Sequence, residues 1–160
     1  MSPRAAWRLE SLGFTEVYDY AAGKADWLAW DLPREGTSAD MPTVGDLARR
    51  DVPTCGLDET LGAVRQRIRA AGWEECVVTN DRRIVMGLLR GQDLDADPAA
   101  TAEEIMRPGP TTYKPDTAAA EAGRRMSERG VRGLLVATPD GALVGLLRRQ
   151  ETERAGEDAS

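Results

Sequence analysis

No histidine occurs anywhere in this 160-residue chain. Its absence removes Ser-His-Asp and Cys-His nucleophile pairs, HExxH metal sites and imidazole proton shuttles. The remaining inventory of carboxylates, arginines, hydroxyls and backbone amides favours binding over catalysis. Cysteine is nearly as scarce. Cys55 and Cys76 stand far apart in the chain, so they form neither a CxxC redox pair nor half of a four-ligand zinc site. Both are expected to be small buried hydrophobes, Cys76 within the apolar run CVV. No apolar stretch approaches the roughly 18 residues of a membrane span, and the opening MSPRAAWRLE has no h-region. A cytoplasmic protein without membrane contact is expected. Basic residues are outnumbered, 21 against 27, leaving a net charge of -6, which argues against non-specific nucleic-acid binding through phosphate neutralisation.

Against these absences stands an ordinary globular composition, 41% hydrophobic and 30% charged, in a length that suits one compact domain or a domain with an appendage. Within it lies a duplication. Laid over one another, Thr43–Asp93 and Thr101–Glu151 align without a gap, and twelve pairs are identical, among them Asp58/Asp116, Gly72/Gly130, Gly87/Gly145, Arg90/Arg148 and Gln92/Gln150. Residue usages near 7% would give roughly three or four by chance.

Both copies predict the same order of elements. A short extended piece, Val52–Cys55 or Pro110–Tyr113, leads to a helix with Asp58 or Asp116 as its candidate N-cap. Apolar positions at helical spacing follow (Leu61, Val64, Ile68 and Ala71; Ala119, Ala122 and Met126) until Gly72 or Gly130 stops the helix. Two short apolar runs then flank a turn, Cys76–Thr79 with Ile84–Leu89 and Leu134–Ala137 with Ala142–Leu147, the pattern of a β-hairpin. A second helix is expected after each hairpin. The fold class is therefore α/β (α+β), two β-α-β-β-α repeats packed face to face in a pseudo-two-fold pair, because a single copy alone buries too little.

Residues 1–36 differ in kind. Six of the eight aromatics fall among them (Trp7, Phe14, Tyr18, Tyr20, Trp27 and Trp30). They predict a short α-β-α appendage: helix Pro3–Leu12, a stop at Gly13, strand Val17–Tyr20 and a helix from Lys24 to Trp30 before Pro33. Such a segment cannot form its own core, so its aromatics need covering by the repeats or by a partner.

The duplicated order, the T-x-x-(D/E)-(L/I) starts at Thr43–Leu47 and Thr101–Ile105, and the hairpin exits GLLRGQD and GLLRRQE together resemble a tandem pair of cystathionine-β-synthase (CBS) domains, a Bateman module. The resemblance covers more than two thirds of the chain, with the repeats at 43–96 and 101–154 and a disordered tail at 155–160. It implies a non-enzymatic regulatory protein whose clefts bind an adenine nucleotide or related adenosyl compound (AMP, ADP, ATP or S-adenosylmethionine). It also implies a homodimer and control of an unknown protein partner. The family's ribose signature is a glycine, then a small hydroxyl three positions on, then an acid three further. Gly87 and Asp93 match in the first copy and Gly145 and Glu151 in the second, while Arg90 and Arg148 replace the hydroxyl. A carboxylate there would accept hydrogen bonds from ribose hydroxyls. The arginines could fork a phosphate or pair with the acid three residues on.

Residues 2–36 resemble the C-terminal tail of a rhodanese (sulfurtransferase) domain, in the Ser-led helix, GF, VYDY, GKADW and LPREG. The resemblance places the reactive cysteine in a loop upstream of this tail, where neither Cys55 nor Cys76 stands. Two alternatives therefore accompany the ligand-sensing reading: an interaction and dimerisation module with degenerate clefts, and a truncated sulfurtransferase. The run DLDADPAATAEE places Asp93, Asp95, Asp97 and Glu104 at calcium-loop spacing, yet Pro98 holds the position that needs glycine. Arg65, Arg67 and Arg69 alternate around a helix and are expected to be solvated.

Overall fold

The computed structural model describes residues 3–18, 23–30, 32–33, 35–36 and 41–152. The expected tail at 155–160 lies outside them. In chain order the elements are helices α1 (Pro3–Ser11), α2 (Gly23–Ala29) and α3 (Val44–Leu47), strand β1 (Thr54–Cys55), helix α4 (Leu61–Ala71), strands β2 (Glu75–Thr79) and β3 (Val85–Arg90), and a 3₁₀ turn (Gly91–Asp95). The second repeat follows the same plan with α5 (Ala102–Ile105), β4 (Arg107–Pro108), β5 (Thr112–Tyr113), α6 (Ala119–Arg129), β6 (Gly133–Ala137) and β7 (Leu143–Arg148).

Each repeat is a parallel β-α-β unit extended by a hairpin: β1 pairs parallel with β2 and β2 antiparallel with β3, as β5, β6 and β7 do. The buried faces of the two long helices use matching positions, Leu61, Val64 and Ile68 on α4 and Ala119, Ala122 and Met126 on α6. Both helices end where the sequence predicts. Gly72 and Gly130 take up the left-handed conformation (φ 68° and 63°), which a glycine adopts without a Cβ penalty.

The starts differ from expectation. α4 and α6 are capped by Thr60 and Ala118, two positions beyond Asp58 and Asp116, and neither cap makes a side-chain bond. The intervening backbone is occupied by the other repeat: the Ala102 N–H donates to the Glu59 carbonyl at 2.8 Å and the Val44 N–H to the Thr117 carbonyl at 2.9 Å. Asp116 instead pairs with Lys24 of α2 at 3.6 Å. The second helix expected after the first hairpin is only the 3₁₀ turn, while after β7 residues 149–152 are helical.

Those crossing bonds are part of a reciprocal exchange. The segment leading into each repeat packs on the other. Thr43 bridges Ala118 and Thr101 bridges Thr60, two contacts related by the duplication. Arg107 of β4 pairs with Leu88 on the edge of the first sheet, and its mate Arg49 exchanges two 3.0 Å bonds with Leu146 on the edge of the second. Ile84 bridges Ala142, its own mate, so this contact lies on the pseudo-two-fold axis. The two cores interlock accordingly. Leu135, Leu143 and Leu146 of the second repeat join the first core, and Val44 and Ala48 join the second.

The predicted strand at Val17–Tyr20 does not form where the chain is described, since Val17 and Tyr18 belong to no ladder; Asp19 and Tyr20 lie outside the described residues. The described appendage is thus α1 and α2 without a strand. Ala25, Leu28 and Ala29 of α2 are buried, Ala29 in the second core, and Arg50 Nη1 donates to the Ala29 carbonyl at 2.8 Å. The repeats leave much of the aromatic set uncovered: Trp7 is 66%, Tyr18 80% and Trp30 71% exposed.

The exchange relies on two glycines for contact distance. A Cβ on Gly145 would meet the Arg49 carbonyl oxygen at 2.5 Å, whereas a Cβ on Gly87 would meet the side chain of Met106. Backbone cannot give way as a thioether can. Gly145→Ala is expected to lower the unfolding free energy by about 2–3 kcal/mol and Gly87→Ala by about 1 kcal/mol, measured by urea denaturation of the full chain. Equal losses would contradict the contrast between a backbone and a thioether neighbour.

Candidate functional site

The two hairpins leave their sheets at Arg90 and Arg148, and each exit is fixed by the acid three residues later. The Arg90 N–H donates to Asp93 Oδ2 at 3.1 Å, and the Arg148 N–H to Glu151 Oε2 at 2.7 Å. The expected pairing of guanidinium with acid is therefore replaced by capping of the backbone. Asp93 has a further partner from the exchanged segment: Arg107 Nε and Nη2 donate to its Oδ1 at 3.1 and 3.0 Å. Three of the roughly four acceptor positions of this carboxylate are thus in use. Two ribose hydroxyls would have to displace Arg107.

Around these exits the interface opens into two clefts. The first, about 770 Å³, is lined by Arg69, Trp73, Glu75, Arg90, Arg107 and Arg132 among others. The second, about 610 Å³, is lined by Gly72, Glu74, Glu75, Arg132, Arg148, Arg149 and Gln150. Glu74, Glu75 and Arg132 border both, and Arg90 and Arg148 are mates under the duplication, so the clefts flank the pseudo-two-fold axis. Of the six residues singled out in the sequence, only Arg90 and Arg148 line a cleft. Asp93 and Glu151 hold the turns behind them, while Gly87 and Gly145 are buried where the exchanged segments cross.

Trp73, only 5% exposed, forms part of the wall. The guanidinium carbons of Arg49 and Arg148 lie 4.6 and 4.0 Å from its ring centroid, within cation–π range. Arg49 also forks Asp51, at 3.0 Å from Nε and 2.5 Å from Nη2. Burial pushes the Glu75 carboxyl above its ordinary range, against the opposing pull of Arg148 and Arg90. Of the three arginines on α4, Arg67 and Arg69 are exposed as expected and Arg65 is half-buried; Arg65 donates to the carbonyls of Leu94 and Ala96, and Arg67 to the Thr54 carbonyl and Glu59. Both cysteines are buried and free, and the Cys76 thiol is pushed up by its hydrogen bond with Cys55 and by burial. Neither is an accessible nucleophile. Among the described residues no group of three or more Cys, Asp or Glu could hold a metal ion. None of the described helices is long and apolar enough to cross a membrane.

Sequence reading passed over Trp73, Glu74, Glu75, Arg107 and Arg132. A signal was present in the alignment of the copies, where Glu74–Glu75 stand opposite Arg132–Gly133. Mates that reverse charge beside an axis mark a polar, asymmetric interface.

Two copies of one unit that exchange their leading segments and enclose clefts between them define a paired-repeat module. The chain belongs to the CBS domain family, which it matches over residues 44–95 and 102–152. It is 27% identical over 117 residues to an uncharacterized protein, MK0525, of Methanopyrus kandleri, covering 68% of this chain and 60% of that one. It is 30% identical over 115 residues to the arabinose 5-phosphate isomerase KpsF of Escherichia coli, covering 68% of this chain and 35% of the isomerase. The chain thus spans less than two thirds of either relative. Among solved structures it is similar to CBSX2 in complex with AMP (TM-score 0.67, 22% identity, 74% of this chain and 98% of that one). It is also similar to the CBS domain pair of protein MJ0100 with 5-methylthioadenosine and S-adenosyl-L-methionine (TM-score 0.64, 16% identity, 75% and 99%). Fold and family together make it a CBS-pair regulatory module.

Glu75 gives a pH signature. Its pKa is raised on folding, so the stability linked to its protonated form is complete below the ordinary carboxylate range and is lost as pH rises through the folded value. Glu75→Gln removes that loss. The variant is expected to melt higher than the parent at pH 7, with the gap closing as pH falls through the folded value and gone below about 4.3. Thermal melts across pH 3–8 check this, and a gap that stays constant with pH would refute it.

Proposed function

We propose that this module senses an adenine nucleotide or related adenosyl ligand in the cleft between its repeats, does no chemistry on it, and controls a protein partner, acting as a homodimer. The observation that carries this reading is the exchange of leading segments. Arg107 reaches the first cleft from the second repeat, and Asp93 behind it belongs to the first, so anything bound there touches both copies. Such a ligand shifts the arrangement of repeats by its differential affinity for the alternatives. The AMP bound in CBSX2 and the adenosyl compounds in the MJ0100 pair support the ligand class. At about 770 Å³, the first cleft has the size usual for small-molecule sites.

A second reading rests on a different observation. The exposed Trp7, Phe14, Tyr18 and Trp30 suit a module that docks a protein through its N-terminal segment and leaves its clefts empty. Titration of the full chain with AMP, ADP, ATP and S-adenosylmethionine separates the two. Sensing predicts a ligand-dependent rise in melting temperature, equivalent to about 2.7 kcal/mol at a hundredfold excess over Kd, weakened in Arg90→Ala. No rise with any of the four removes the sensing reading.

A further inference from the structure

The carboxylates and the guanidiniums near the clefts are not equally available in this chain. The carboxylates are committed: Asp93 to Arg107 and the Arg90 N–H, Glu151 to the Arg148 N–H. The guanidiniums are not. Arg69, Arg90 and Arg132 line the first cleft, and none of their guanidiniums has a hydrogen-bond or ion-pair partner among the described residues. Arg148 enters the second cleft over the ring of Trp73. Five arginines line the first cleft against three carboxylates, two of the five already engaged, Arg107 by Asp93 and Arg65 by the Leu94 and Ala96 carbonyls. One of those carboxylates, Glu75, is partly buried and lies within the fields of both Arg90 and Arg148. It offsets at most one of them.

A planar guanidinium fork matches two phosphate oxygens at once, and a charge-assisted bond of that kind is about twice as strong as a neutral one. Where the signature would supply a small hydroxyl, this chain offers an arginine in each copy, Arg90 and Arg148, related by the axis. Arg132 borders both clefts, beside Glu74 and Glu75, and is the guanidinium that the two have in common.

We propose that the joined clefts form an oligophosphate site, taking one chain of two or more phosphates across the pseudo-two-fold axis, with Arg90 and Arg132 on one side and Arg148 on the other as its ligands. The phosphates could be free or carried on a nucleoside. The proposal rests on the reading that the interface binds a small molecule, and it ranks the ligands within that reading. Polyanions bind well, AMP weakly, and neutral or cationic adenosyl compounds least.

Calorimetry of the full chain at low and moderate salt tests this with inorganic tripolyphosphate, pyrophosphate, ATP, AMP and adenosine. Affinity is expected to rise with phosphate number, with one ligand per chain, and to fall with added salt. Arg132→Gln should weaken tripolyphosphate by about tenfold or more. Arg124→Gln, on the solvent side of α6 beside Glu128, should leave it unchanged. If adenosine and AMP bind as tightly as ATP, the oligophosphate proposal fails while adenosyl sensing stands. If tripolyphosphate binds as well as ATP, the proposal stands and the nucleoside becomes dispensable. Failure of every compound, or equal weakening by both variants, overturns the site.

Discussion

Backbone hydrogen bonds between the leading segment of one repeat and the body of the other hold this molecule together. Arg49 with Leu146 and Arg107 with Leu88 add a strand-like edge to each sheet from the opposite copy. Leu61 with Ala100 and Ala119 with Pro42 fix where the long helices begin. Exposed sheet edges are unpaired donors and acceptors that invite association. Here each repeat closes an edge of the other, and the two apolar cores share side chains. The clefts follow from the same constraint, because the crossing that brings Arg107 into the first one also brings Arg49 against Trp73.

Much of this architecture was legible in the sequence because it depends on local chemistry applied twice. Matching apolar stripes at Leu61, Val64, Ile68 and Ala119, Ala122, Met126 specify two helices with the same buried face. Gly72 and Gly130 end them for a reason of backbone conformation alone. The starts were not legible, since the groups that would make Asp58 and Asp116 caps are taken up by partners far away in sequence. Val17–Tyr18 misled in another way: alternating aromatic and polar residues look like a strand, yet the described chain provides no neighbouring strand to pair with them.

The site was half readable. Motif position singles out Arg90 and Arg148, and both line clefts. Their acids, ligand groups by motif position, hold the turns, because a carboxylate three residues after a strand end sits within reach of the backbone N–H there. Arg132, Glu74 and Glu75 escaped notice because the cleft exists only between copies, and a motif sought within one copy does not extend across the axis. The balance of charged residues lining the first cleft also differs in sign from that of the chain as a whole. A net charge of -6 describes the far field, while the first cleft gathers five arginines along its lining.

The contact of Ile84 with Ala142, a residue with its own mate, bears on how such a chain could arise. A single repeat would satisfy these crossing bonds only by pairing with a second copy, and in that homodimer both sides of the axis would be identical. Glu74–Glu75 would then face another Glu74–Glu75 across the cleft. Joining the copies in one chain frees the two sides to diverge, and the Glu74–Glu75 and Arg132–Gly133 pair is such a divergence. Covalent fusion thus gave this interface a direction: a ligand lying across it meets different ends, which no symmetric dimer of one repeat could offer.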